Sequence, residues 1–212
     1  MRLELDHLVV AAASLDQGVA WCAQQFGIVP TAGGQHLFMG THNRVFNVSS
    51  PTFARTYLEI VAIDPALPAP AQARWFDLDD FDMRQRLQGG PRLVHWAARC
   101  ADIAAARDAM RAAGADCGDA VQAERGALRW RITLRVDGRR PLGGAAPALI
   151  HWGDAHPTDT LPPSGVRLDA FSVGAPTLAS LLPGDVSGAG SVPLTAVLTT
   201  PRGAVTLTSD AG

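Results

Sequence analysis

Leu5-Asp6-His7-Leu8 and Leu93-Val94-His95-Trp96 open two copies of one pattern, a strand with a histidine near its middle followed by a helix. The histidines are 88 residues apart, and so are the helix openings Ser14-Leu15 and Asp102-Ile103. A third, degenerate copy begins at Arg167-Leu168-Asp169-Ala170-Phe171, offset by 163 residues from the first, with Ala170 where the others carry histidine. A repeat decides architecture before any single motif does, because each unit buries its apolar face against its neighbour.

Working outward from these openings, residues 3–11 read as a strand, and Ser14 caps a helix with an apolar stripe of Leu15, Val19, Trp21, Cys22 and Phe26 that Gly27 closes. Strands follow around Gly33-Gly34, over 42–49 and over 56–63, which makes residues 1–64 a βαβββ module. Residues 65–91, rich in Pro and Ala, form a connector with a lid or packing role and a short helix near 79–88. The second module, 92–157, repeats the order with a strand at 92–99, a helix at 102–113, strands near 119–124 and 128–136, and a last strand at 147–152. Residues 158–212 give a partial third unit: a strand at 166–173, a short helix at 176–182 and a hairpin of 192–199 and 203–208. The expected fold class is α+β, with paired βαβββ modules forming a curved sheet around a central cavity and a partial third βα-hairpin unit as a structural or dimer-forming addition.

The chain of 212 residues is 47% hydrophobic with a net charge of −2, which provides ample material for a core. All 18 basic residues are arginine, so lysine Schiff-base chemistry and a phosphate loop ending in Gly-Lys-Ser/Thr are excluded. Neither a basic block nor a basic-aromatic stripe appears, which argues against a nucleic-acid partner. No apolar run is long enough for a membrane helix, and the first residues lack the pattern of a secretory leader. Cys22, Cys100 and Cys117 are odd in number and without CxxC spacing, so a disulfide framework and a thiolate zinc site are not expected. These observations predict a cytoplasmic protein.

Glu59 lies mid-strand among Tyr57, Leu58, Ile60 and Val61, where an ionised carboxylate needs a partner. Arg44 or Arg55 would supply an ion pair; a divalent metal is the functional alternative. Alternation places His7 on the face of Leu3, Leu5 and Val9, with Arg2, Glu4 and Asp6 pointing the other way. A lone inward histidine is usually a satisfied core residue, but His95 recurs at the equivalent place. His151, in Ala148-Leu149-Ile150-His151-Trp152, stands about where the first module has Glu59: the spacings are 52 residues from His7 to Glu59 and 56 from His95 to His151. Three imidazoles and one carboxylate suit Zn, Ni, Mn, Co or Fe better than Ca or Mg. His42 and Arg44 share one face of the third strand, Arg44 suited to a carboxylate or phosphate and His42 to acid–base work; the alternative is a turn with Arg44 paired to Glu59. His36 and His156 read as loop or turn residues, and the tryptophans as core, with Trp152 beside His151 as a pocket candidate.

The Leu-Asp-His start, Gly40-Thr41-His42-Asn43-Arg44, Tyr57-Leu58-Glu59, and Ile150-His151-Trp152 with His156-Pro157 together resemble the glyoxalase-like-domain branch of the vicinal oxygen chelate superfamily over about residues 3–157. The resemblance implies a divalent metal on His7, Glu59, His95 and His151. The last is a departure, because a carboxylate is the commoner ligand there, so His151 is a ligand, a proton carrier or a polar pocket residue. It further implies Glu59, His42 and His151 in catalysis, and Arg44, Asn43 and Trp152 in binding a small substrate with adjacent oxygens. The expected reaction is of the lyase or isomerase type, in a homodimer. The alternatives are a non-catalytic binder of the bleomycin-resistance type and an extradiol-type dioxygenase.

Overall fold

The computed structural model describes residues 2–209. Strand β1 (Leu3–Ala11) leads into α1 (Leu15–Gln25), whose first turn is closed by Ser14 accepting from the Gln17 N–H. Then come β2 (Thr31–His36), β3 (Thr41–Asn47) and β4 (Tyr57–Ile63). After the connector with α2 (Phe81–Gln88), the order repeats as β5 (Arg92–Cys100), α3 (Ile103–Ala112), β6 (Asp119–Arg125), β7 (Leu128–Leu134) and β8 (Ala148–Trp152). The eight strands form one sheet in the order β2-β3-β4-β1-β5-β8-β7-β6. In each module the first strand runs parallel to the last, and the modules meet where β1 pairs antiparallel with β5. The duplication read in the sequence is therefore a single α+β curved sheet with a pseudo-twofold at its centre.

That central pairing carries two bulges. Leu5 pairs with Ala98 and His7 with Ala97, which leaves Asp6 as an extra residue; Val9 pairs with His95 and Val10 with Leu93, which leaves Val94 extra. The bulged residues are 88 apart, the period of the repeat. Each bulge reverses the phase of its strand. Leu3 and Leu5 join Leu8 and Val10 in the core on the convex face, while Val9 and Ala11 lie on the concave side. The simple alternation expected above is thus corrected: Asp6 does not point away from His7, and both side chains are buried.

Helices α1 and α3 cover the convex face. Gly18 of α1 lies so close to β4 that a Cβ there would come within 2.3 Å of Ile60, and Ile103, Ala106 and Met110 of α3 share the same core as Leu149. The third unit covers the rest of that face with a second sheet of β9 (Arg167–Gly174), β10 (Val186–Ser187), β11 (Ala189–Thr200) and β12 (Gly203–Thr208), in the order β10-β9-β11-β12. Phe171 packs edge-on against Trp96 at 5.4 Å, and Leu168 donates its N–H to the Val48 carbonyl at 2.9 Å. The concave face is partly filled by the connector: Trp75 and Phe76, stacked at 4.9 Å, sit with Val9, Val61 and Val94. The connector is pinned by ion pairs Arg74–Asp79 at 2.7 Å and Arg140–Asp77 at 2.6 Å, and it turns through Phe76 and Asp77 with φ of 62° and 59°.

Candidate active site

Because β4 pairs with β1 in the register His7–Tyr57 and Val9–Glu59, His7, Tyr57 and Glu59 share the concave face, and Tyr57 stacks on the His7 ring at 4.6 Å. Pairing of Val45 with Glu59 and Asn43 with Val61 adds Asn43 from β3. These residues line a narrow, largely filled cavity walled by Trp75, Phe76, Trp130 and Trp152 and bordered by Arg125 of the second module.

Glu59 is 5% exposed and accepts a hydrogen bond from Asn43 Nδ2 at 2.6 Å. The Nε2 atoms of His7 and His36 each stand 3.7 Å from a Glu59 oxygen, a gap that suits a bridging water or substrate atom. The Asn43 amide is fixed in orientation, because its Oδ1 accepts from Gly34 N–H at 2.8 Å and from Arg125 at 3.2 Å. Neither Arg44 nor Arg55 serves Glu59: Arg55 pairs with Asp159, and Arg44, opposite Ile60 in the register, lies on the other face.

Behind His7 lies Asp6, fully buried. Its Oδ1 is 2.7 Å from His7 Nδ1, and its Oδ2 meets Trp152 Nε1 at 3.0 Å, Arg99 Nη1 at 3.1 Å and His156 Nε2 at 3.1 Å. Burial alone would raise the Asp6 carboxyl; hydrogen bonds from His156 and His7 and their charges overcome it and hold the group well below the ordinary carboxylate range. An ionised Asp6 draws the His7 proton to Nδ1, so Nε2 is the nitrogen that faces Glu59 and the cavity. His36 is held neutral, its pKa lowered to about 4 by burial, with Arg125, His7 and His42 pushing the same way against Glu59.

The other residues anticipated for the site fall elsewhere. Arg131 pairs with His151, and the neighbours Ile150 and Trp152 line the cavity, so His151 points to the opposite face, 2.9 Å from the Cys100 carbonyl oxygen. The position matching Glu59 is Ala148, since Ala97 pairs with Ala148 as Val9 pairs with Glu59. His42 shares the face of Arg44 and stands 3.4 Å from Asp64. His95 lines a second cavity, separated from the first by Trp75 and Phe76, which border both. Its pKa is lowered to about 3 by burial, with Arg140 and His7 adding and the Gly144 backbone opposing. The set His7, Glu59, His95 and His151 therefore does not converge, and among the described residues no group of three or more His, Cys, Asp or Glu is arranged to hold a metal ion. Those four side chains therefore do not form one divalent-ion site.

Sequence reasoning missed Asp6, Arg125 and the wedge of Trp75 and Phe76, and it left His36 in a loop. Asp6 had a signal: Leu3-Leu5 and Leu8-Val10 are out of phase, which marks an extra residue between them.

The family described as the glyoxalase-like domain matches residues 5–182 of the chain. The chain belongs to this family, within the vicinal oxygen chelate superfamily. No curated protein matches it. Among solved structures, a hypothetical protein from Staphylococcus aureus is 14% identical with a TM-score of 0.60, covering 99% of this chain and 87% of that one. Methylmalonyl-CoA epimerase from Mycobacterium tuberculosis is 20% identical with a TM-score of 0.43, covering 74% of this chain and 91% of that one. The Streptomyces coelicolor methylmalonyl-CoA epimerase in complex with 2-nitronate-propionyl-CoA is 17% identical with a TM-score of 0.43, covering 72% and 96%. These likenesses concern the fold. No helix of the described residues is long and apolar enough to cross a membrane.

Proposed function

We propose that the protein is an isomerase- or lyase-type enzyme that moves a proton on a small substrate with adjacent oxygens, held in the cavity of the first module. The observation that carries this reading is the chain Asp6, His7, Glu59: a buried ionised carboxylate orients an imidazole whose free nitrogen stands 3.7 Å from a second buried carboxylate at the cavity floor. Such a pair can take a proton from a carbon next to a carbonyl and return it, the division of labour of general acid–base catalysis. Glu59 is the group at the reacting carbon, and His7 exchanges the proton with it. Asn43 holds one Glu59 oxygen, which leaves the other toward His7. Arg125, the cation of the cavity, takes the place expected of Arg44 and offers charge to a substrate oxygen. The tryptophans and Phe76 exclude water and favour a planar substrate.

The test is solvent-deuterium incorporation, followed by NMR, into a panel of 2-hydroxy ketones and 2-hydroxy acids. Wild-type protein is expected to exchange the carbon-bound proton of at least one, with a loss of about 10²-fold or more in Glu59→Gln. Absence of exchange across the panel, together with ligand affinity unchanged in Glu59→Gln, would replace this reading with that of a binding protein.

A further inference from the structure

Away from Glu59, a further cavity opens where the ends of β1 and β4 meet α2. It holds about 340 Å³, within the range of small-molecule sites. Its frame is fixed by Gln17, whose Nε2 donates to the Leu87 carbonyl at 3.0 Å and so ties the start of α1 to the end of α2. Ala13, Ile63, Leu78 and Leu87 give the cavity an apolar wall. Its polar border consists of Arg74 and Arg84, with Gln88 beside them, and no carboxylate borders it.

The two guanidiniums share a single acceptor. Arg74 Nη1 and Arg84 Nη2 both donate to Oδ1 of Asp79, at 2.7 and 2.9 Å, while Oδ2 accepts the Arg74 backbone N–H at 2.8 Å. One carboxylate thus serves two cations and draws their heads together, which leaves the pair with an uncompensated positive charge. Arg84 also donates Nε to the Leu78 carbonyl at 3.1 Å, which fixes its head at the border of the cavity. Arg74 is the less satisfied of the two. It is 9% exposed, yet of the five N–H groups that a guanidinium offers, only Nη1 finds an acceptor among the described residues, and Nε is sealed from solvent without one. A buried cation so short of acceptors is costly unless an anion completes its shell.

We propose that this cavity is a binding site for a small amphipathic carboxylate of the short-chain fatty acid class. The carboxylate is met by the paired guanidiniums of Arg74 and Arg84, and the hydrocarbon chain lies on Ile63, Leu78 and Leu87. A planar carboxylate has two oxygens to offer two guanidiniums, and its single charge is the one the pair lacks. The site uses neither Glu59 nor His7, so it stands or falls apart from the acid–base reading of the first cavity.

The experiment titrates full-length protein, ¹³C-labelled at its isoleucine methyls, with hexanoate and follows the Ile63 δ-methyl resonance, assigned by its loss in Ile63→Val. Hexanol, which lacks the charge, and acetate, which lacks the chain, are the comparators. Hexanoate is expected to shift the resonance saturably, and its affinity should fall about tenfold in Arg84→Gln. Hexanol should bind wild type about tenfold more weakly, and acetate should give no saturable shift. Ala13→Leu, which sets a larger side chain at the edge of the cavity, should also weaken hexanoate, while Glu59→Gln should bind it as wild type does. Arg84 and Ala13 are exposed, so their variants fold and keep the test decisive even where Arg74→Gln does not. If the Ile63 methyl stays in place, if hexanol binds as tightly as hexanoate, if Arg84→Gln keeps wild-type affinity, or if Glu59→Gln loses affinity where Ala13→Leu keeps it, the proposal is overturned.

Discussion

Asp6 Oδ1 lies 2.7 Å from Nδ1 of His7, its neighbour in the chain. Consecutive side chains on a regular strand point to opposite faces, and this contact exists only because Asp6 is the bulged residue of the β1–β5 pairing. The same carboxylate also receives Trp152, Arg99 and His156, so it ties the last strand of the second module and the loop after it to the first strand of the first. Replacing Asp6 by Asn keeps the shape and removes the charge, which leaves Arg99 without its buried partner. The expected cost is about 3–5 kcal/mol of stability, the range for breaking a buried ion pair. It is measured as a lowered guanidinium midpoint at pH 7. Proton exchange should fall as well, because His7 loses the anion that orients it.

His36 and His95 give the fold a defined response to acid. Their folded pKa values, about 4 and about 3, lie below the ordinary 6.5, so between pH 6.5 and those values the unfolded chain binds more protons than the folded one. Stability therefore falls as pH falls through this window, by about 1.4 kcal/mol per pH unit for each histidine. Asp6, depressed from 3.8, continues the loss below that pH. Unfolding midpoints measured at pH 7, 6, 5 and 4 should decline steadily, and His36→Asn should reduce the slope. A flat profile would show that neither ring is buried neutral.

All three cysteines are buried, and burial raises Cys22 and Cys117 to about 12 and Cys100 to about 11. A thiol reacts through its thiolate, so at pH 8 the native protein should not consume Ellman's reagent on the scale of minutes. Three equivalents should react at once in denaturant. Rapid native labelling of one residue would locate a local opening of the convex core.

Much of this molecule was legible in its sequence for one reason: duplication. The 88-residue period marked the two histidines, both capped helices and the strand order, and the Tyr57-Leu58-Glu59 strand was clear from its β-branched and aromatic content. The site was less legible, because strand alternation was applied across a bulge and across a module that has diverged. Counting residues made His151 the counterpart of Glu59, whereas the parallel register of β8 with β5 gives that place to Ala148. Likewise His42 and Arg44 were correctly placed on one face of β3, but only the register with β4 shows that Asn43 is the residue beside Glu59. The wedge of Trp75 and Phe76 depends on a connector turning through two residues of positive φ, for which the sequence offers no glycine as a marker.

Gly33 and Gly34 on β2 separate two roles that meet at Asn43. A Cβ at Gly33 would stand 2.0 Å from Asn43 Oδ1 and 2.5 Å from the Asn43 carbonyl oxygen, so alanine there must push β3 and its amide away. A Cβ at Gly34 would instead meet Arg125, at 2.4 Å from Cδ, in a flexible side chain that can swing aside. Gly33→Ala should therefore lose the 2.6 Å hydrogen bond to Glu59 along with about 1–3 kcal/mol of stability, the ordinary cost of overpacking. Its exchange activity should fall chiefly in kcat, since the carboxylate is no longer held. Gly34→Ala should keep its unfolding midpoint and raise KM, since what moves is the cation that meets the substrate. Matching losses in both variants would mean that Arg125 and Glu59 act as one unit. A neutral Gly33→Ala would show that Asn43 has no part in holding the carboxylate.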